Sequence, residues 1–361
     1  MLIVLLTLTI ILSLHQAWYW FVYFDSLEHA KVLPGQSNGN FVSIIIAASN
    51  ESENLSQNLP KIMTQDYSQY EVLVINDHST DNTSQLVSIL TNKYKDLYLI
   101  DLGEDQRGKG DALMAGVAGS QGNWLVFTDA DCYPAGKNWL RELIAPLQQG
   151  YDLVLGASPL IPAKSGWAPL FASYDAALTY AMYGSGVLHK QTYMGVGRNI
   201  ACNKSTAVEL GMGRPTGYTG GHDDLFVNAA REKHRIWLCP QPSAFIYSLT
   251  MDSWSALMKQ KKRHVATSHS YRREDQWRLL GFATSHWLHY LGVCALLLSG
   301  MPVLAGLLYL VKCIPLIRTY HRVLTRFAPM SLGQILLADL TYVIWYPYIA
   351  YCLLNKPSNT W

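Results

Sequence analysis

The chain is expected to fold as an α/β domain, a mostly parallel sheet covered by helices on both faces, joined to transmembrane α-helices. Three observations lead there. Five short β-rich runs alternate with helical stretches between Phe41 and Leu155, Met1 to Phe24 is apolar and free of charge, and the C-terminal third turns apolar again.

Residues 1–24 read as an N-terminal transmembrane helix. At about 1.5 Å per residue the stretch is long enough to cross a bilayer, and it ends in Trp18-Tyr19-Trp20-Phe21, an aromatic cluster suited to the interface. It has neither the basic start nor the small-residue cleavage site of a removed leader, so a retained anchor is expected despite His15 and Gln16. Residues 25–40 form a linker, marked by Pro34-Gly35-Gln36-Ser37-Asn38-Gly39-Asn40.

Residues 41–250 are expected to form the α/β domain. The runs Phe41–Ala47, Glu71–Asn76, Leu97–Ile100, Trp124–Thr128 and Asp152–Leu155 are nearly continuous in apolar residues, as strands buried on both faces of a parallel sheet must be. Amphipathic stretches such as Asp81–Tyr94 and Trp139–Leu147 supply the covering helices. Ligands of such sheets collect at the carboxyl ends of the strands. Ser49-Asn50-Glu51 follows the first run, Asp77-His78-Ser79-Thr80-Asp81 the second, and Asp129-Ala130-Asp131 the fourth. Two carboxylates two residues apart where a buried strand stops can hold Mg²⁺ or Mn²⁺, which neutralises the diphosphate of a nucleotide; a solvated turn is the alternative. Asp77 could accept hydrogen bonds from a base or ribose, whereas Thr80 or Asp81 reads equally well as a helix cap.

Residues 251–278 form a basic amphipathic interface segment, 279–354 supply two to three transmembrane helices, and 355–361 are a tail. The apolar stretches are Leu279–Gly300, Met301–Ile317 and Gln334–Leu354, the first two joined as a hairpin at Ser299-Gly300-Met301-Pro302. Asp339 is costly there unless it meets a polar partner, and it reads as a membrane-edge or helix-packing residue. Lys259, Lys261, Lys262, Arg263, Arg272, Arg273 and Arg278 precede these spans, and Arg318, Arg322 and Arg326 lie between the last two. Four crossings would place both basic clusters and the central domain in the cytoplasm, with both chain ends outside. With 28 basic and 26 acidic residues the chain lacks the basic field of a nucleic-acid binder. Its six cysteines show no CxxC spacing, so they read as buried small hydrophobes rather than a zinc site or disulfide framework.

Ile46-Ala47-Ala48-Ser49-Asn50-Glu51, Val74-Ile75-Asn76-Asp77-His78-Ser79-Thr80-Asp81, Gly108-Lys109-Gly110-Asp111-Ala112-Leu113 and Phe127-Thr128-Asp129-Ala130-Asp131 resemble, in that order, the nucleotide-sugar half of family 2 inverting glycosyltransferases with a GT-A fold. The likeness spans about Phe41 to His264, and the apolar flanks resemble the membrane-bound branch of that family. It implies that Asp77 contacts base or ribose, that Glu51 and the backbone near Ala48 help hold the base, and that Lys109 approaches the diphosphate; an exposed loop lysine is the other reading of Lys109. Asp129 and Asp131 become metal and donor ligands, Asp131 most directly.

Gly220-Gly221-His222-Asp223-Asp224-Leu225-Phe226 occupies the place of the family's catalytic acid, and His222 stands where an acid is often found. The general base is then Asp223 or Asp224, with Asp223 preferred; one of the two could instead favour the helix N-terminus electrostatically. Gln260-Lys261-Lys262-Arg263-His264 resembles Gln-x-x-Arg-Trp with His at its last position. Arg263 would balance the departing diphosphate and His264 would stand at the acceptor entrance, although a basic helix lying on anionic lipid explains the same residues. Gly195-Val196-Gly197-Arg198-Asn199-Ile200-Ala201 resembles the acceptor-side strand, where Arg198 touches diphosphate or acceptor, or forms a structural salt bridge.

The expected function is a membrane-bound, metal-dependent inverting glycosyltransferase. It would use a nucleotide diphosphate sugar, UDP-linked, with Mg²⁺ or Mn²⁺, and a lipid, lipid-linked saccharide or polysaccharide acceptor at the cytoplasmic face of the cell's inner or plasma membrane. A processive polysaccharide synthase subunit, a nonenzymatic nucleotide-binding membrane scaffold and a nucleotidyltransferase are the alternatives. The last lacks its glycine-rich phosphate loop after the first strand.

Overall fold

The computed structural model describes residues 2–36, 39–214 and 221–354. Met1, Ser37 and Asn38 of the linker, Gly220 of the acidic motif and the 355–361 tail lie outside the described residues.

Helix α1 (Leu2–Trp18) continues through a π turn at Tyr19–Phe24 into a 3₁₀ turn at Asp25–His29. The α/β domain then runs β1 (Val42–Ala48), α2 (Ser52–Ile62), β2 (Tyr70–Asn76), α3 (Thr83–Thr91), β3 (Leu97–Asp101), α4 (Gly108–Gly119), β4 (Trp124–Asp129), β5 (Tyr133–Pro134), α5 (Trp139–Gln148), β6 (Leu153–Gly156) and β7 (Leu160–Ile161). There follow α6 (Trp167–Leu188), β8 (Ile200–Asn203), α7 (Lys204–Leu210), α8 (His222–Ala230), β9 (Ile236–Cys239), β10 (Ile246–Leu249) and α9 (Trp254–Val265). The chain closes with α10 (Arg273–Leu298), α11 (Pro302–Thr319) and α12 (Leu332–Leu354).

The main sheet has the order β3-β2-β1-β4-β8-β6-β9, and a small second sheet has the order β5-β10-β7. In the main sheet only β8 runs against its neighbours, pairing antiparallel with β4 and β6. Side chains alternate between faces along each strand. Ile44 of β1 therefore joins Val72 and Val126 in the core under α5, while Ile45 joins Leu73 and Leu125 in the core shared with α4 and α6. All of these are buried, as near-continuous apolar strands require. Ala48 pairs with Asn76, and Ala47 with Asp129, so the carboxyl ends of β2, β1 and β4 finish level with one another.

Helices α1, α10, α11 and α12 pack together beside this domain. Among the described residues, three stretches are long and apolar enough to cross a membrane: Leu2–His29, Pro302–Leu324 and Leu332–Leu354. Helix α10 is not among them. His286 and His289 lower its hydropathy, so a count of four crossings depends on this helix. Its polar groups turn into the bundle, where Ser13 meets His289 Nδ1 at 3.0 Å and the Gln16 amide donates to the Ser285 hydroxyl at 2.7 Å. Asp339 is a buried packing residue that pairs with Lys312 and accepts from the Tyr290 hydroxyl at 2.6 Å. That pairing offsets the cost of a carboxylate among apolar helices. α10 and α11 reverse at Ser299-Gly300-Met301, as their helix-weakening residues lead one to expect.

The start of the linker is tied down. Asp25 accepts from Arg318 at 2.9 Å and from Arg322 at 3.2 Å, which fastens the end of the first helical stretch to the last turn of α11 and the turn that follows it. Among the cysteines, Cys132, Cys202, Cys239, Cys313 and Cys352 are buried, but Cys294 is exposed on the outer side of α10 and departs from the buried-hydrophobe reading.

Candidate active site

The loops that leave β1 and β2 are stitched together. Asn50 sits at φ +59°, a conformation asparagine tolerates, and its Oδ1 accepts from the Thr80 N–H at 2.8 Å and the Asp81 N–H at 3.2 Å. Asp81 is a capping residue: its carboxylate accepts from the Ser52 N–H at 3.1 Å and the Thr83 N–H at 2.9 Å, at the starts of α2 and α3. The Asp77 N–H donates to the Ala48 carbonyl at 2.8 Å, and Asp77 Oδ2 accepts from the Gly108 N–H at 2.8 Å, which fixes where α4 begins. Glu51 accepts from Asn54 at 2.6 Å. Burial raises its pKa; the Asn54 bond opposes that, and the charges of Asp131 and Asp129 add to it.

A cavity of about 1220 Å³ opens next to these loops. Lys109, Asp129, Asp131, Arg198, Asp223, Asp224, Gln260, Arg263 and His264 all line it, so residues drawn from five separate stretches of sequence converge. Ala48, Glu51 and Asp77 do not line it; they sit at its edge, on the ends of β1 and β2.

Lys109 lies in the first turn of α4, not in a free loop, and donates to Asp129 Oδ1 at 2.5 Å. Both side chains line the cavity and are partly exposed. Desolvation there lowers the Lys109 pKa, but the Asp129 and Asp223 carboxylates outweigh it and the net shift is upward. For Asp129, burial opposes ionisation, yet Lys109 wins and holds the carboxyl below its usual range. Asp131 Oδ2 accepts from the Ser248 hydroxyl of β10 at 2.6 Å. No group of three or more His, Cys, Asp or Glu that could hold a metal exists among the described residues. Two carboxylates nevertheless fit Mg²⁺ or Mn²⁺, because such ions commonly take one or two protein carboxylates and complete their shell with substrate phosphates.

The adjacent aspartates of α8 have different environments. Gly221 takes φ +74° before the helix, which glycine adopts without strain. Asp223 Oδ2 then accepts from the Gly197 N–H at 2.5 Å, an approach open because a Cβ on Gly197 would lie 2.7 Å from that oxygen. Asp224 is turned inward, 7% exposed, and one of its oxygens accepts from Tyr271 at 2.9 Å and Thr267 at 3.2 Å. Burial, with the Asp223 charge beside it, pushes the Asp224 carboxyl well above the carboxylate range. His222 supplies no acid to this pair; its Nδ1–H donates to the Arg214 carbonyl at 3.0 Å.

On the opposite wall, α9 carries the basic motif. Lys261 Nζ donates to both oxygens of Asp175 at 2.9 and 2.8 Å, and Asp175 Oδ1 also accepts from the Tyr342 hydroxyl at 2.6 Å. Asp175 on α6 thus joins α9 to α12. Arg198 and Arg263 have neither a hydrogen bond nor an ion pair among the described residues, so the structural salt bridge considered for Arg198 is not formed. His264 lines the cavity and is exposed to it. Desolvation, then Arg263 and Lys261, lower its pKa to about 4.

Asp175, Ser248, Thr267 and Tyr271 were not marked by any motif. The sole signal for Asp175 is an acid alone within a long apolar helix.

A level edge of parallel strands, with the acidic end of β4 facing the cavity, is the architecture of the GT-A class. Residues 43–207 match the family described as Glycosyl transferase family 2, and the chain carries a domain of that family. It is 35% identical over 119 residues to the glycosyltransferase AglE of Haloferax volcanii, covering 32% of this chain and 38% of that protein. It is 25% identical over 246 residues to the poly-beta-1,6-N-acetyl-D-glucosamine synthase of Staphylococcus aureus, covering 65% of this chain and 56% of that one. The chain therefore spans little more than half, or less, of these curated relatives. Its fold is similar to that of mannosyltransferase PcManGT from Pyrobaculum calidifontis, solved in complex with GDP-Man and Mn²⁺, with a TM-score of 0.61, 18% identity, and coverage of 94% of this chain and 99% of that one.

Proposed function

We propose that the chain is a membrane-bound inverting glycosyltransferase that moves a sugar from a nucleotide diphosphate sugar, UDP-linked, to a lipid, lipid-linked saccharide or polysaccharide acceptor at the cytoplasmic face. The observation that carries this reading is the convergence of Lys109, Asp129, Asp131 and Asp223 on one cavity, with Lys109 in the field of both Asp129 and Asp223. Leaving-group and acceptor chemistry then share one space.

Asp129 and Asp131 would hold Mg²⁺ or Mn²⁺, which when bound supplies Lewis-acid neutralisation of the diphosphate. Lys109, Arg198 and Arg263 carry the positive charge that the departing nucleotide diphosphate needs, and the two arginines are free to do so. Asp77, with Glu51 and the Ala48 backbone at the strand ends, orients base and ribose.

Asp223 takes the proton of the acceptor hydroxyl, whose own pKa is far above neutrality. The freed oxygen bonds to the anomeric carbon as the bond from that carbon to the phosphate oxygen breaks, in one displacement with inversion. Asp224 is poorly suited to the task because burial and the Asp223 charge push its carboxyl well above the carboxylate range and one of its oxygens is occupied by Tyr271 and Thr267. Gln260 and His264 line the acceptor side.

Similarity to the poly-beta-1,6-N-acetyl-D-glucosamine synthase over 65% of the chain favours processive synthesis as a second reading. Incubating the purified chain with labelled UDP-sugars or GDP-sugars and Mn²⁺, with and without membrane lipid, tests both. Release of nucleoside diphosphate with sugar transfer supports the enzyme, and product length separates one addition from many. Pyrophosphate release would indicate a nucleotidyltransferase, and no turnover with nucleotide still bound a scaffold.

A further inference from the structure

The cavity does not end at the catalytic carboxylates. It continues down between α10 and α12, where Leu279 and Ala283 of one helix and Tyr346, Ile349 and Ala350 of the other form its wall. Farther along, the two helices are fastened together: Trp287 Nε1 donates to the Val343 carbonyl at 3.0 Å, and His286 Nε2 lies 3.1 Å from the Asp339 carbonyl oxygen. Nearer the site the turn before α10 is held to the end of α12 where His269 meets the Leu353 carbonyl at 3.0 Å. Between these fastenings the lining is mostly apolar, with the Gln276 amide turned to the Ser268, His269 and Tyr271 carbonyls, and it reaches the surface at Ala350 and at Leu280, which is half exposed. α12 is itself long and apolar enough to cross a membrane. A water-soluble saccharide gains nothing from such a wall, whereas an acyl or isoprenoid chain buries its length there at about 25 cal/mol per Å² of apolar surface.

The charges at the head of this passage choose among lipids. Lys109 is paired with Asp129 and Lys261 with Asp175, and Arg107 precedes Gly108, whose N–H is bonded to Asp77 on the nucleotide side; this leaves Arg198 and Arg263 as the cavity-lining cations of the strand and helix motifs without an ion pair among the described residues. Those two are needed by the leaving diphosphate. The group that faces the acceptor is Asp223, a carboxylate, which repels an anionic headgroup and is of use only to a hydroxyl.

We propose that the acceptor is a membrane lipid with an uncharged, hydroxyl-bearing headgroup that enters the cavity sideways between α10 and α12. This rests on the glycosyltransferase reading and names its substrate class.

The full chain is placed in phosphatidylcholine nanodiscs, without donor, together with either a diazirine-tailed diacylglycerol or the phosphatidic acid with the same tails. Cross-linked residues are mapped by mass spectrometry. Diacylglycerol should label Leu279, Ala283, Ile349 or Ala350, several-fold more than phosphatidic acid does, and Ala350→Trp and Ala283→Trp should each lose that label. Nucleotide binding, measured on the same samples, shows that the variants are folded. Label confined to outward residues such as Leu288 and Ile344, or equal label from phosphatidic acid, overturns the proposal. So does protection of the passage by a soluble oligosaccharide in the absence of lipid label. Because cross-linking needs no turnover, the lipid can fail while sugar transfer stands.

Discussion

Lys109 lies 2.5 Å from Asp129, so one ion pair locks the first turn of α4 to the end of β4 at the head of the cavity. A bound diphosphate would compete with Asp129 for this ammonium. Lys109→Met should therefore lower kcat/KM for the donor by roughly 10²–10³, the size expected when a charged donor is removed from a developing anion. Donor-dependent initial rates measure it, and a variant indistinguishable from wild type would remove Lys109 from the diphosphate.

Asp223 and Asp224 should behave oppositely on substitution. Asp223→Asn is expected to bind donor normally and to lose about 10²–10⁴ in kcat, the usual contribution of a general base. Asp224→Asn keeps an oxygen for Tyr271 and Thr267 and should retain most of the activity. Calorimetric nucleotide titration beside single-turnover transfer separates the two effects; the reverse pattern would move the base to Asp224.

The raised pKa of Asp224 gives a signed pH dependence. Its carboxyl titrates near 3.9 in an unfolded chain, and burial keeps it protonated in the fold to well above that range. The folded state then binds the extra proton, so this group's contribution is most favourable below the unfolded pKa and is lost as pH rises toward the folded one. Asp224→Asn should flatten the fall of Tm with rising pH above about 4. A Tm series from pH 4 to 9 checks the slope, and an unchanged slope contradicts the assignment.

Asp175 and Lys261, 13% and 17% exposed, connect α6 to the helix that carries Gln260 and Arg263. Removing one partner of a buried pair costs about 3–5 kcal/mol, and the partial access here argues for the lower end. Lys261→Met should lower Tm and kcat together, Lys261→Arg should restore much of both, and an apolar replacement of both partners should recover Tm without kcat. Recovery of full kcat by the apolar pair would show that the ion pair does not position α9.

The sheet was legible because strands buried on both faces must be apolar almost throughout: β1, β2, β3, β4 and β6 fall within one or two residues of the runs that announced them. Acidic strand ends were legible for the same reason, since a charge directly after such a run stands out. What escaped was contact across distance. Nothing near Asp175 points to Lys261, 86 residues away, and nothing near Asp131 points to Ser248, 117 away. The choice between Asp223 and Asp224 was likewise undetermined locally, because Gly197 on one side and Thr267 and Tyr271 on the other decide it. In the bundle, α10 looked like the other spans because composition does not show which way His286 and His289 face.

The central claim is that Asp129 and Asp131 hold the donor's diphosphate through a divalent cation. Its most direct test is a crystal or cryo-EM structure of the full chain with a UDP-sugar and Mn²⁺, with the ion located by anomalous scattering in the crystal. The expected result is a manganese peak in contact with the Asp131 carboxylate and both phosphates, lost together with donor binding in Asp131→Asn. Phosphates bound away from Asp131, with no cation between them, would contradict the account.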